Sequence, residues 1–300
     1  MIPEERRLPR SPIKGRPPLR WPGGARVALW VCPNIEHYSF LPQNVRVRDP
    51  WPRTPHPDVL LYSQKDHANR VGVWRFFDLF DHFGVRATVS LSLENWERFP
   101  LVMEACLARR WDVMCHGMVN TDYLWGLGED EERAYIARCV ETYRRLTGTM
   151  LRGWFSPALS HTLNTPDLVA EAGITYFCDF FHDDQPTPIR VRSGRLISLP
   201  YTVELNDSHV LTGAMEGEEF ARAARDMFDT LYEEGAESGR VMCLALHPFV
   251  MGRPHRIRHV AETLKYILGH DGVWATTGEE MADWYLAHGY GPALAAAKDA

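Results

Sequence analysis

The sequence predicts an α/β chain folded as one closed or nearly closed seven-stranded (β/α) barrel. Three observations predict it. Short β-like runs are followed by helical periodicity seven times along the 300 residues. The β-like runs are apolar over consecutive positions, the pattern of strands buried on both faces of a parallel sheet. No G-x-G-x-x-G follows the first run and no Walker A sequence occurs, so dinucleotide and P-loop folds lose support. A doubly wound open sheet is the alternative architecture.

Taken in order, ARVALWVC (25–32) reads as the first buried strand. Val73, Phe76, Phe77, Phe80 and Phe83 keep the i, i+3, i+4 spacing of a helix that Gly84 stops. VRATVSLSL (85–93) is the second strand and 95–109 the second helix. WDVMC (111–115) is the third strand. The helix 129–148 opens on acids and closes on arginines before Gly148, matching the helix dipole. LRGWF (151–155) is the fourth strand, and Thr165 to Ala172 a short helix with Pro166 in its first turn. ITYFC (174–178) is the fifth strand. IRVRSGRLISL (189–199) reads as a hairpin around Ser-Gly. Glu218 to Glu234 is a helix, RVMCLALHP (240–248) the sixth strand and Arg256 to Leu268 its helix. GVWAT (272–276) is the seventh strand and Gly278 to His288 the last helix.

Residues 33–70 hold six prolines and several aromatics with little periodicity. A connection of that length is uncommon unless functional. It leaves the C-terminal end of the first strand, so it is expected to cover the substrate as a lid or wall, with a subunit contact as the plainer reading. Residues 1–24 form an N-terminal arm, 25–290 the barrel and 291–300 a tail. The first twenty residues carry six basic and two acidic side chains, the signature of a surface-lying arm or of a strap across a neighbouring subunit.

The net charge of −6 offers no basic field for nucleic acid. No run approaches the length of a membrane span. The N-terminus lacks the apolar core of a standard secretory signal, and the six cysteines include no C-x-x-C pair. These features are expected of reduced thiols in a cytoplasmic protein.

Chemistry-bearing side chains gather just after the strands, where barrel enzymes build their sites. Asn34, Glu36 and His37 follow the first, and His116, Asn120 and Tyr123 the third. Ser156 and His161 follow the fourth, Asp179, His182 and Asp183 the fifth, and His247 ends the sixth. Singly, each has an ordinary explanation: a rim histidine, a turn aspartate, a loop ion pair. Their recurrence at one end of successive strands points to a catalytic site. Such a set suits hydrolysis. Glu36 is the candidate base, His247 the acid that protonates a leaving nitrogen, and Asp183 the group that orients His247 or a substrate N–H. His37, His116 and Asn120 are candidate ligands of a divalent metal. Tyr123, Trp154, Ser156 and Arg253 are candidate substrate-binding residues. No G-x-S-x-G elbow is present and Ser156 has no adjacent base, which argues against an acyl-enzyme.

The runs VALWVCPNIEHY, CHG (115–117), GWFSPALSHTLNTPDLVAEAGITYFCD and ALHPFVMGRPHRI together resemble the polysaccharide deacetylase (NodB-homology) superfamily over about residues 25–290. The nearer likeness is to its amidohydrolase branch of allantoinase-like enzymes and cyclic imide hydrolases. The resemblance implies a distorted seven-stranded (β/α) barrel, a homo-oligomer, and hydrolysis of a small amide, imide or ureide, with metal-dependent N-deacetylation of an amino sugar as the alternative. Typical members carry two neighbouring aspartates, a base and a metal ligand, where this chain has Glu36 and His37. They carry two metal-binding histidines where it has His116 and Asn120. The arginine that orients their base is replaced by the stretch Phe155-Ser156-Pro157. The resemblance thus implies either a divalent metal, zinc first, on an altered ligand set, or acid–base catalysis with no metal. The Leu-His-Pro motif at 246–248 is intact and implies the acid role for His247.

Overall fold

The computed structural model describes residues 7–41, 57, 59–213 and 215–297. Its strands are β1 (Val27–Ile35), β2 (Thr88–Leu91), β3 (Asp112–Cys115), β4 (Gly153–Trp154), β5 (Tyr176–Phe177), β6 (Thr187–Ile189), β7 (Leu196–Ser198), β8 (Arg240–Leu246) and β9 (Val273–Ala275). They form one curled sheet in the order β6-β7-β5-β4-β3-β2-β1-β8, with β9 also on β1. All pairings are parallel except β6 with β7.

Among the described residues eight strands run parallel, one more than the periodicity predicts. The extra one is β7. It is the second arm of the expected hairpin, pairing Ile189 with Leu196 and Thr187 with Ser198. Its other edge also continues the sheet, pairing Tyr176 with Ile197. Between β7 and β8 the ring is bridged by irregular chain instead of a ladder. Val241 N–H donates to Asp184 O (2.9 Å), and Ala245 N–H to Leu205 O (3.1 Å). This is the distortion of the barrel.

Alternation along the strands sorts side chains onto two buried faces. Val27, Leu29 and Val31 of β1 and Met242, Leu244 and Leu246 of β8 join the core under the helices, with Phe76, Phe77, Phe80, Phe220 and Phe228. Ala28, Trp30, Cys32, Cys243 and Ala245 pack inside the curl with Met114, Phe155, Tyr176 and Tyr201. All six cysteines are buried and free. Trp21 of the arm and Met281 and Tyr285 of the last long helix belong to the same inner cluster and plug it.

The helices are α1 (Val59–His67), α2 (Val73–Phe83), α3 (Asn95–Arg98), α4 (Pro100–Ala108), α5 (Glu129–Thr147), α6 (Thr165–Glu171), α7 (Ser208–Leu211), α8 (Gly217–Glu234), α9 (Ile257–Leu268), α10 (Gly278–His288) and α11 (Tyr290–Ala296). Gly84 and Gly148 end α2 and α5 in the left-handed conformation, as their positions predict. The single helix expected over 95–109 is two. Phe99 precedes Pro100 and leaves the helical region (φ −133°, ψ 62°), as the residue before a proline does.

The stretch expected to lack structure after the first strand is partly regular. Residues 33–35 extend β1, and α1 runs into a π-helical segment, Ala68–Gly72, that joins α2. A π turn adds a residue per turn and scrambles the 3.6-residue period, which hides the helix from a periodicity reading. Residues 42–56, where the lid was expected, lie outside the described residues.

The N-terminal arm lies on its own barrel. Arg7 makes a fully buried ion pair with Asp167 (2.7 Å). Trp21 Nε1 donates to Arg240 O (2.9 Å) and Leu19 N to Ser238 Oγ (2.9 Å). No helix among the described residues is long and apolar enough to cross a membrane.

Candidate active site

Four strands each deliver the first residue beyond their C-terminal end to one place: Glu36 from β1, His116 from β3, Phe155 from β4 and His247 from β8. Glu36 leaves the sheet because side-chain amides intercept the backbone there. Asn95 Nδ2 donates to Ile35 O (2.9 Å) and Asn69 Nδ2 to Glu36 O (3.1 Å). Asn69 stands in the π segment, which turns it inward. The chain turns sharply after His116 at Gly117 (φ +71°), where a Cβ would lie 2.4 Å from Pro157 Cγ.

Glu36 Oε1 lies 3.3 Å from His116 Nε2 and 3.7 Å from His247 Nε2, and all three groups are buried. His247 Nδ1 faces Asp207 Oδ1 at 2.6 Å, and Asp207 Oδ2 accepts the backbone N–H groups of His247 (2.7 Å) and Met251 (3.3 Å). Asp207 is completely buried. It reaches this position because the irregular stretch before α7 pairs with β8, its N–H donating to Ala245 O (3.1 Å). His116 places Nδ1 on Phe155 O (2.9 Å) and stacks on the Phe155 ring (4.8 Å, 18°). A carbonyl only accepts, so Nδ1 carries the proton and Nε2 faces the carboxylate.

The electrostatics separate the two central groups. Burial alone would raise the Glu36 carboxyl, but His247 and His116 outweigh it and hold Glu36 well below the usual carboxylate range. Burial alone would also deprotonate His247, yet the Asp207 and Glu36 carboxylates push it up to about 10. At neutral pH the site therefore pairs an ionised carboxylate with an imidazolium, a base and an acid 3.7 Å apart.

The other expected residues divide. Asp183 is not in this site. Its carboxylate is paired with Arg16 of the arm (2.5 Å). Its neighbour Asp184 binds Val241 at the start of β8, six residues and roughly 20 Å of strand from His247. Asp207 holds the position against His247 expected of Asp183. Forty residues separate the two in sequence, and an Asn-Asp-Ser run before a short helix gives no sign of the pairing.

Trp154 and Ser156 are also displaced from the pocket wall. Both are fully buried, and Trp154 Nε1 donates to Ser156 Oγ (3.0 Å) in the core under the helices. The strand alternation turns Trp154 outward and Phe155 inward, which puts Phe155 at the site. Tyr123 packs on Trp125 (5.4 Å) beyond β3. Arg253 donates to Phe249 O (3.1 Å) and Gln64 O (3.3 Å), tying the loop after β8 to α1. Asp179 Oδ1 accepts Ser156 N–H (2.8 Å), and His161 Nδ1 is 3.0 Å from Asp179 Oδ2.

Of the three donors expected to hold a metal, His116 alone faces the Glu36 carboxylate. Asn120 Nδ2 donates to the Tyr38 hydroxyl (2.6 Å), and its Oδ1 accepts Ala158 N–H (3.2 Å). The His37 ring meets Tyr62 edge-on (6.4 Å), and burial lowers its pKa. Among the described residues no group of three or more His, Cys, Asp or Glu side chains is arranged to hold a metal ion. The Asn120 amide is thus held at both ends, by a backbone donor on its oxygen and a phenol on its nitrogen.

Comparison with known proteins meets this geometry. Residues 57–177 match the polysaccharide deacetylase family. A crystal structure of a probable polysaccharide deacetylase from Pseudomonas aeruginosa PAO1 superposes with a TM-score of 0.82 at 29% identity, covering 91% of this chain and 96% of that one. The chain is thus similar to polysaccharide deacetylases over most of its length. A putative polysaccharide deacetylase from Schizosaccharomyces pombe is 29% identical over 289 residues, 89% of this chain and 88% of that protein. The crystal structure of Puue allantoinase superposes with a TM-score of 0.79 at 27% identity, covering 92% of this chain and 96% of that one. The likeness of this chain thus extends from deacetylases to an allantoinase.

Proposed function

We propose that this chain hydrolyses a carbon–nitrogen bond in a small cyclic amide, imide or ureide by water attack, with Glu36 as base and His247 as acid. The match to the deacetylase family and the allantoinase neighbour support a hydrolase of carbon–nitrogen bonds other than peptide bonds. The observation that carries the finer reading is the facing of Glu36 and His247 in opposite protonation states.

In this mechanism Glu36 takes a proton from water as the oxygen attacks the carbonyl carbon. The C=O electron pair moves to oxygen, giving a tetrahedral intermediate. His116 presents Nε2 to the same Glu36 oxygen, 3.3 Å away. When the intermediate collapses the C–N bond breaks, and His247 Nε2–H protonates the departing nitrogen. In a ring the two products stay joined as one open-chain acid. Asp207 keeps the His247 ring in place and keeps its Nδ1 hydrogen-bonded throughout. Tyr123 and Arg253 remain candidates to meet the distal part of a substrate, since both stand on loops leaving the same end of the barrel.

The names of the fission-yeast and Pseudomonas relatives favour a second reading, removal of an N-acetyl group from a carbohydrate. One assay separates the two. Purified protein is offered allantoin, hydantoin and succinimide on one side and N-acetylglucosamine oligomers on the other, before and after chelation, with its metal content measured. Ring opening that survives chelation supports the acid–base reading. Acetate release that requires a restored divalent ion supports the second and removes the first.

A further inference from the structure

We propose that Asn120 and Tyr38 form a hydrogen-bond relay that positions the Glu36 carboxylate and leaves Oε1 as the oxygen that accepts the proton from water. The reaction in this statement rests on the hydrolase reading above; the relay itself does not.

The direction of every bond follows from the chemistry of its partners. Ala158 N–H can only donate, so the Asn120 atom it meets at 3.2 Å is the oxygen. The other Asn120 terminus is therefore the amide nitrogen, which can only donate, and the Tyr38 oxygen 2.6 Å away accepts from it. A phenol has one proton, and Tyr38 gives it to Glu36 Oε2. Oε2 is thereby occupied, and Oε1 is left facing His116 and His247.

Both relay members are fixed by more than these bonds. Asn120 is buried, and its backbone N–H donates to His37 O (2.9 Å). The Tyr38 ring lies under Lys65 Nζ (3.4 Å) and meets Phe249 edge-on (6.5 Å). Tyr38 and Asn120 are positioning residues here, acting through Glu36.

The test uses Tyr38→Phe, Asn120→Ala and the double variant. Infrared spectra of protein labelled with ¹³C-glutamate give the Glu36 carboxylate stretch, identified by its loss in Glu36→Gln. Both single variants are expected to shift that band, and they do so with no substrate present. On a turned-over amide, kcat should fall about tenfold in Tyr38→Phe, the effect of about one lost pKa-unit equivalent of interaction, with KM within about threefold. The double variant should lose no more than Tyr38→Phe alone, because the two act in series. An unshifted Glu36 band in a folded Tyr38→Phe protein overturns the relay, as do additive losses in the double variant. If Tyr38→Phe fails to fold, an unshifted band in Asn120→Ala overturns it equally. A protein that opens no cyclic amide yet shows the band shifts retains the relay and loses the ring-opening reading.

Discussion

Glu36 and His247 are both buried carboxyl or imidazole groups, yet their surroundings drive them in opposite directions. Each is the other's counter-ion, and Asp207 adds a second carboxylate behind His247. Glu36→Gln and His247→Ala should each lower kcat by about 10² to 10⁴, the usual contribution of a general acid or base. A loss under tenfold in steady-state turnover removes that residue from the mechanism. The pH profile carries a second expectation. Activity needs Glu36 ionised and His247 protonated, so kcat/KM should hold across neutral pH and fall as pH rises through about 10. Asp207→Asn withdraws a carboxylate that favours the imidazolium, so the alkaline limb should move to lower pH. An unmoved alkaline limb in that variant would mean another group sets it.

At the scale of elements, the site depends on how closely the α1–α2 connection approaches the loop after β8. A Cβ on Gly72 would sit 2.0 Å from Pro248 O, and one on Gly252 would sit 2.2 Å from the same oxygen. Neither glycine is needed for its dihedrals; both are needed for contact. Arg75 Nη1 on Gly252 O (2.7 Å) fastens the same junction. Gly72→Ala must push the π segment away from β8, carrying with it Asn69, which holds the Glu36 backbone. The expected result is a lower thermal midpoint together with a fall in kcat. Gly84→Ala, at a left-handed helix end with nothing within 4 Å, is the control: it should lose about 1–2 kcal/mol and keep kcat. Wild-type kcat in a folded Gly72→Ala protein would remove the junction from the account.

Across the whole molecule, the ring of strands is closed by parts that are not strands. The arm reaches the barrel through the Arg7–Asp167 pair, with neither side chain exposed. Asp167 Oδ1 also accepts Arg192 N–H (2.8 Å), so the pair joins the arm, α6 and the β6–β7 loop. Removing one half of a buried pair strands the other charge, typically at about 3–5 kcal/mol. Arg7→Met should destabilise the fold by that order in equilibrium denaturation, while the Glu36–His247 geometry and kcat stay near wild type. A change within about 0.5 kcal/mol would show that the arm adds nothing to stability.

The alternation of apolar strands with amphipathic helices, and the glycines ending α2 and α5, were legible in the chain because they depend on local periodicity and backbone freedom. So were Glu36, His116 and His247, each the first residue past a strand and so sent to the same mouth by the parallel order. Tertiary structure alone decided the rest. Asp207 meets His247 only because irregular chain takes the free edge of β8. Trp154 turns outward and Phe155 inward because one residue of register reverses a side chain. Asn120 turns its nitrogen to Tyr38 because Ala158 N–H meets its oxygen. Periodicity is written in neighbours along the chain; partnerships between loops depend on where a twisted ring of strands brings them, which no local pattern encodes.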